Sequence, residues 1–182
     1  MERKIIIAGS GGQGILFFGK VLAFAGMYES KEVTWFPSYG AEMRGGTANC
    51  TVVISDDMIG SPVVLNPDIL ITMNKASLDK FQRSLKKNGL LFFDGSLIKN
   101  PDFRSDIEPV SVPATKIASS IGNTKSANMV MLGSLIAKTS LLKKSSIVKI
   151  FESRSQLGKN STGKMNINSV LEGIKYIEDK KS

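Results

Sequence analysis

Lys4-Ile-Ile-Ile-Ala8, then Gly9-Ser-Gly-Gly-Gln-Gly14, then the run from Ile15 to Tyr28 decide the fold of this chain. The first is a short β-branched run, the second is a turn, and the third carries apolar residues at helical spacing. Together they predict strand, glycine loop, helix. Working outward, Val33–Phe36 reads as a second strand stopped by Pro37, and Thr47–Ser55 as a third, turned by Asp56-Asp57. Asp68–Met73 predicts a buried strand, followed by a helix over Leu78–Lys87 with Asn74 or Ser77 as its cap and Asn88-Gly89 at its end. Leu90–Asp94 is the next strand, and Val110–Pro113 suggests a last one leading into a helix near Thr115–Ser120. Further helices are predicted over Asn128–Thr139, Ser146–Gln156 and Asn166–Lys180, the last with Ile167, Val170, Leu171, Ile174 and Ile177 on one stripe. Short apolar strands alternating with helices predict an α/β fold, a mostly parallel sheet with helices on both faces. No repeat, low-complexity tract or linker interrupts the 182 residues, so one domain over 1–182 is expected.

Composition narrows the chemistry. A hydrophobic content of 42% suffices for a single core. Histidine is absent and cysteine occurs once, which removes His/Cys metal sites, cysteine-ligated iron–sulfur clusters and His-based triads from this chain alone. Any redox centre must then lie on another chain. Cys50, inside an apolar strand, is expected to be a small buried hydrophobe, and a lone cysteine suits a reducing cytoplasm. The apolar run after Met1-Glu-Arg-Lys4 breaks into glycines too early for a signal peptide or membrane span, so a soluble cytoplasmic protein is expected. Net charge is +8, from 24 Lys+Arg against 16 Asp+Glu, with lysines concentrated late in the chain. Arginines are few and aromatics are not interleaved with them, which argues against nucleic acid and leaves an acidic partner protein or an anionic cofactor.

Two loops carry the functional signal. Gly9, Gly11 and Gly14 satisfy the G-x-G-x-x-G spacing between strand and helix, where bare amides, including that of Gly12, can hold a phosphate or carboxylate; a purely structural tight turn is the alternative. The dinucleotide reading also wants an acid at the end of the second strand, and here that strand ends Trp35-Phe36-Pro37. Gln13 suits contact with a polar ligand or a neighbouring subunit, or simple solvent exposure. In the second loop, Pro37-Ser-Tyr-Gly-Ala-Glu-Met-Arg-Gly-Gly46, the glycines let the backbone bend while Tyr39, Glu42 and Arg44 can face outward. Arg44 suits bidentate capture of a carboxylate or phosphate with Glu42 holding it in place, or the two form a local ion pair that shapes the loop. No residue is assigned a catalytic role. Asn128–Ala137, apolar nearly all round, is expected in the core or in a subunit interface.

The pairing of G-x-G-G-Q-G with V-T-W-x-P-S-Y-G-x-E-M-R-G-G-T-A-N-C resembles the gamma subunit of 2-oxoacid:ferredoxin oxidoreductases, most closely the 2-oxoglutarate type. The resemblance continues through Ile59-Gly-Ser-Pro-Val63, Pro67-Asp68, Met73-Asn74 and Ser77-Leu-Asp-Lys-Phe81. It implies a Rossmann-like gamma domain in a multi-chain enzyme that turns a 2-oxoacid and coenzyme A into acyl-CoA and CO2 while reducing ferredoxin. It also implies thiamine diphosphate held by alpha and beta subunits, iron–sulfur clusters on cysteine-rich chains such as a ferredoxin-like delta subunit, and no cofactor bound by this chain alone. Carried over position by position, Gly9, Gly11, Gly12, Gln13 and Gly14 match the first motif, and Ser38, Tyr39, Gly40, Glu42, Arg44, Gly45 and Gly46 the second. Ala41 departs from the proline expected in many relatives. A nucleotide-binding oxidoreductase acting alone and a pure scaffold subunit are the rival readings, and an apolar interface left bare in the isolated chain would favour a homodimer.

Overall fold

The computed structural model of the chain describes residues 1–38, 47–153 and 161–180. Tyr39, Glu42 and Arg44 therefore lie outside the described residues. The opening strand β1 spans Glu2–Ser10, longer than predicted because Gly9 and Ser10 stay in the ladder, paired with Ala48 and Thr47. Helix α1 follows at Ile15–Tyr28 as its periodicity requires. Strand β2, Glu32–Ser38, runs through Pro37 instead of stopping there. The reason is its place at the sheet edge: a proline lacking N–H removes no bond when one side of the strand has no neighbour. Strand β3, Thr47–Ser55, is as predicted.

The remaining strands are β4 (Ile69–Thr72), β5 (Leu90–Asp94) and β6 (Glu108–Val112). Their helices are α2 (Lys75–Phe81), α3 (Ala114–Ser120), α4 (Ala127–Thr139), α5 (Lys144–Glu152) and α6 (Ser161–Asp179). Helix α2 begins three residues before the predicted Leu78, because Asn74 rather than Ser77 is the cap: its Oδ1 accepts from the Ser77 amide at 2.8 Å. It then tightens into a 3-10 turn over Gln82–Ser84. Helix α5 ends at Glu152, short of the predicted Gln156, with Ser153 already extended.

Strand order is β2-β3-β1-β4-β5-β6. The β1–β4, β4–β5 and β5–β6 pairs are parallel, and β3 is antiparallel to both its neighbours. Alternate residues of β1 feed two cores. Ile5 and Ile7 join Phe18 and Leu22 of α1 and the apolar residues of α4, α5 and α6, whereas Ile6 and Ala8 join Leu78 of α2 with Leu70 and Leu91 on the opposite face. Removing a large side chain such as Phe18, fully buried, costs about 3–5 kcal/mol in such a core.

Helix α4 is the centre of the larger core, with eleven of its thirteen residues buried. It meets α6 almost backbone to backbone. A Cβ on Gly133 would stand 2.0 Å from the Val170 carbonyl oxygen, and one on Gly173 would stand 1.9 Å from that of Val130. Ser134 Oγ donates across this seam to the Gly173 carbonyl at 3.1 Å, and the hydroxyls of Ser126 and Ser169 lie 2.6 Å apart. The inward face of α6 is thus Ser169, Val170, Gly173, Ile174 and Ile177. Leu171, placed on the apolar stripe by periodicity, is 47% exposed instead. The rest of the predicted stripe faces the core: Val170, Ile174 and Ile177 are buried and Ile167 packs against them.

Candidate functional site

Parallel neighbours β1 and β4 send their helices to opposite faces of the sheet, α1 to one and α2 to the other. Where connections part in this way, a crevice opens beyond the carboxyl ends of the strands, the usual place for a ligand in an open α/β sheet. Its two lips here are the glycine loop and the Met73-Asn74 turn.

The lips are laced together. Gln13 folds back so that its Oε1 accepts from the Ser10 amide at 2.7 Å, while its Nε2 donates to the Met73 carbonyl at 3.0 Å. Asn74 Nδ2 donates to Ser10 Oγ. Gly9 makes room for this arrangement, since a Cβ there would stand 2.6 Å from Gln13 Oε1. Both ends of the part-buried Gln13 amide are thus engaged inside the chain.

Gly12 and Gly14 turn the backbone through positive φ, 89° and 70°. Gly12 is exposed, and nothing lies within 4 Å of where a Cβ would stand. Gly14 caps α1 in the left-handed conformation and its carbonyl accepts from Asn128 Nδ2 at 3.0 Å. Asn128 thus ties the start of α4 to the start of α1, and Gly14 leaves it the space. Backbone amides at the amino end of α1, with the positive end of its dipole, lie at this lip of the crevice.

The second motif is anchored on the same edge. Thr47 pairs with Ser10, and Asn49 pairs with both Ala8 and Ser38, so both ends of the 39–46 connection stand beside the glycine loop. Ser38 is exposed there. The structure brings Gly9, Gly11, Gly12, Gln13, Gly14 and Ser38 to one edge, together with Asn74 and Asn128, which the sequence reading did not assign to the site. A cap signal marked Asn74, but Asn128 meets Gly14 across 114 positions and no local pattern announces it. Strand order also weakens the dinucleotide reading further: β3 separates β1 from β2, so the end of the second strand is not the neighbour that a ribose would need.

Cys50 is fully buried, and burial pushes its thiol up to about 12. It donates weakly to the Ile15 carbonyl at 3.6 Å. A buried thiol of this kind does not fit an iron–sulfur ligand, and among the described residues no group of three or more His, Cys, Asp or Glu could hold a metal. Asp94, buried at the end of β5, accepts from the Ser96 amide at 2.9 Å and from the Thr115 amide at 3.1 Å, which fixes the start of α3. Among the described residues no helix is long and apolar enough to cross a membrane.

Known proteins share this sequence pattern and this fold. Residues 4–176 match the family described as pyruvate ferredoxin/flavodoxin oxidoreductase. Ketoisovalerate oxidoreductase subunit VorA of Methanothermobacter marburgensis is 41% identical over 75% of this chain, which spans only 28% of that protein. 2-Oxoglutarate synthase subunit KorC of Methanocaldococcus jannaschii is 38% identical over 82% of this chain and 81% of its own length. Among solved structures, the gamma subunit of a keto/oxoacid ferredoxin oxidoreductase from Geobacter sulfurreducens superposes with a TM-score of 0.83 at 26% identity, covering 97% of this chain and 99% of that one. The 2-oxoglutarate:ferredoxin oxidoreductase of Magnetococcus marinus shares the fold at a TM-score of 0.88 and 20% identity, over 98% of this chain and 31% of that one.

Proposed function

The chain belongs to the pyruvate ferredoxin/flavodoxin oxidoreductase family, and from that premise we propose that it is the gamma subunit of a cytoplasmic 2-oxoacid:ferredoxin oxidoreductase. The assembled enzyme takes a 2-oxoacid and coenzyme A to acyl-CoA and CO2 and passes the electrons to ferredoxin. Thiamine diphosphate and iron–sulfur clusters, held by alpha, beta and ferredoxin-like delta chains, supply the carbanion and electron-transfer chemistry. This chain supplies a surface, and is inactive by itself.

The observation that carries the reading is that the described ends of the second motif, Ser38 and Thr47, stand on the same edge of the sheet as the glycine loop, through the Ser10–Thr47 and Ser38–Asn49 pairs. In this reading Gly11, Gly12 and Gly14 offer backbone to an anionic group of coenzyme A or to a partner chain, and Ser38, Tyr39, Glu42 and Arg44 complete that surface. Gly12 fits such a contact because it is exposed and no neighbour crowds the position a side chain would take. Gln13 is a positioning residue: it holds the loop against Met73 rather than reaching out. 2-Oxoglutarate is the favoured substrate, since a relative matched over most of both chains carries that name.

The test is to express the chain with its alpha, beta and delta partners and to follow ferredoxin reduction with 2-oxoglutarate, pyruvate and 3-methyl-2-oxobutanoate. We expect coenzyme A-dependent turnover that needs this chain and at least a tenfold preference in kcat/KM for 2-oxoglutarate. Arg44→Ala should leave the isolated chain folded and lower turnover or assembly. Full activity without the chain, or tight one-to-one binding of NAD(H) to the chain alone, would refute the reading.

A further inference from the structure

On the outer side of α1, away from the glycine loop, Lys20, Ala23, Phe24, Met27, Val33 and Trp35 line an apolar groove of about 180 Å³ between the helix and edge strand β2. Met27 is 60% exposed and Tyr28 beside it 52%. One cation lines the groove, and a second stands over Tyr28, next in sequence to Met27. Lys20 Nζ stands 5.7 Å from the centroid of Phe24, and Lys149 Nζ of α5 stands 5.6 Å from that of Tyr28. Neither lysine meets a carboxylate among the described residues, and α1 contains no acidic residue. Lys31 pairs with Asp56, Lys86 with Asp68, Lys138 with Glu108 and Lys144 with Glu178, so these four are already neutralised within the chain.

A partner that covers the groove removes the exposed Met27 and Tyr28 from water and sets counter-charges against Lys20 and Lys149. We infer that the α1–β2 face docks an acidic partner protein, one that seats an apolar side chain in the groove between Phe24 and Met27 and sets carboxylates against Lys20 and Lys149. A second copy of this chain suits the face poorly, because a twofold contact would bring the same lysines together. The inference rests on the proposed function, which makes the partner another chain of the enzyme.

The experiment uses the assembled enzyme. Hydrogen exchange is measured on this chain alone and in complex with its alpha, beta and delta partners, and assembly is titrated for the wild type, Lys20→Glu/Lys149→Glu, Met27→Asp and a control pair of the same charge change, Lys116→Glu/Lys175→Glu. We expect protection of residues 20–36 on assembly. The Lys20/Lys149 pair should weaken assembly by at least thirtyfold with a flattened salt dependence, Met27→Asp by at least tenfold at every salt concentration, and the control by less than threefold. Thermal melts of each isolated variant verify folding. Assembly that leaves 20–36 unprotected, or Met27→Asp and the charge reversal binding as wild type, overturns the docking face and leaves the proposed function standing. Failure of the wild-type chain to assemble at all overturns both, and a homodimer protected over 20–36 replaces the acidic partner with a second copy.

Discussion

Two regions of the molecule depend on glycine for opposite reasons. In the loop after β1, Gly12 and Gly14 are needed for a backbone sign: their φ values are positive, and at Gly12 there is ample room for a side chain. In the α4–α6 seam, Gly133 and Gly173 sit in ordinary helix and are needed for space. The first kind of glycine clusters in sequence and is easily seen. The second kind is isolated, far along the chain from its counterpart, and visible only when the helices are packed.

Substitution separates the two. Gly173→Ala should have the largest effect, because the new Cβ would stand 1.9 Å from a backbone oxygen that no rotamer change can move. A loss on the order of 4 kcal/mol is expected, a fall of ~10 °C in melting temperature or failure to fold. A melt within about 2 °C of wild type would mean that the helices can part at little cost.

Gly14→Ala should rank next, at about 2 kcal/mol, since it combines a left-handed backbone with displacement of Asn128 Nδ2, which lies 2.3 Å from where the new methyl would stand. Gly14→Ala made on an Asn128→Ala background should cost less than on the wild type, because the obstructing amide is gone; denaturant titration of the four-member cycle measures the coupling. Gly12→Ala should cost only about 1 kcal/mol, the left-handed penalty by itself. If Gly12→Ala proved as damaging to the isolated chain as Gly173→Ala, the division between sign and space would fail.

The smallest effect lies outside both regions. Asp56 accepts from Lys31 Nζ at 2.6 Å and from the Met1 ammonium at 2.7 Å, and these, the lysine first, lower its carboxyl from the usual 3.8 to about 2. A depressed carboxyl contributes stability above its unfolded value and loses it as pH falls through the folded one, so the contribution should fade between pH 3.8 and about 2. Asp56→Asn should remove that part of the acid dependence of the melting temperature, and added salt should shrink it in the wild type.

The legibility of the fold followed the range of the interactions that make each element. Strand β3, strand β5 and helix α1 form where their apolar spacing requires. Pro37 misled because its cost depends on whether its strand has one neighbour or two. Leu171 misled because it is exposed, whereas Val170, Ile174 and Ile177 of the same stripe are buried. The site divides in the same way: the glycine loop and the Ser38 motif stand out in the sequence, whereas the inward use of Gln13 and the part played by Asn128 do not.

What the sequence by itself determined is local: β-branched runs, helical spacing, glycines where φ must be positive, and two motifs specific enough to indicate a family. Tertiary structure alone decided that β3 inserts between β1 and β2, that Gln13 and Asn74 lace the crevice, and that α4 and α6 touch through glycine. The physical reason is reach. Backbone preference and amphipathic period act over a few residues, while the Gln13–Met73 and Asn128–Gly14 bonds join positions 60 and 114 apart and exist only once the chain has closed on itself.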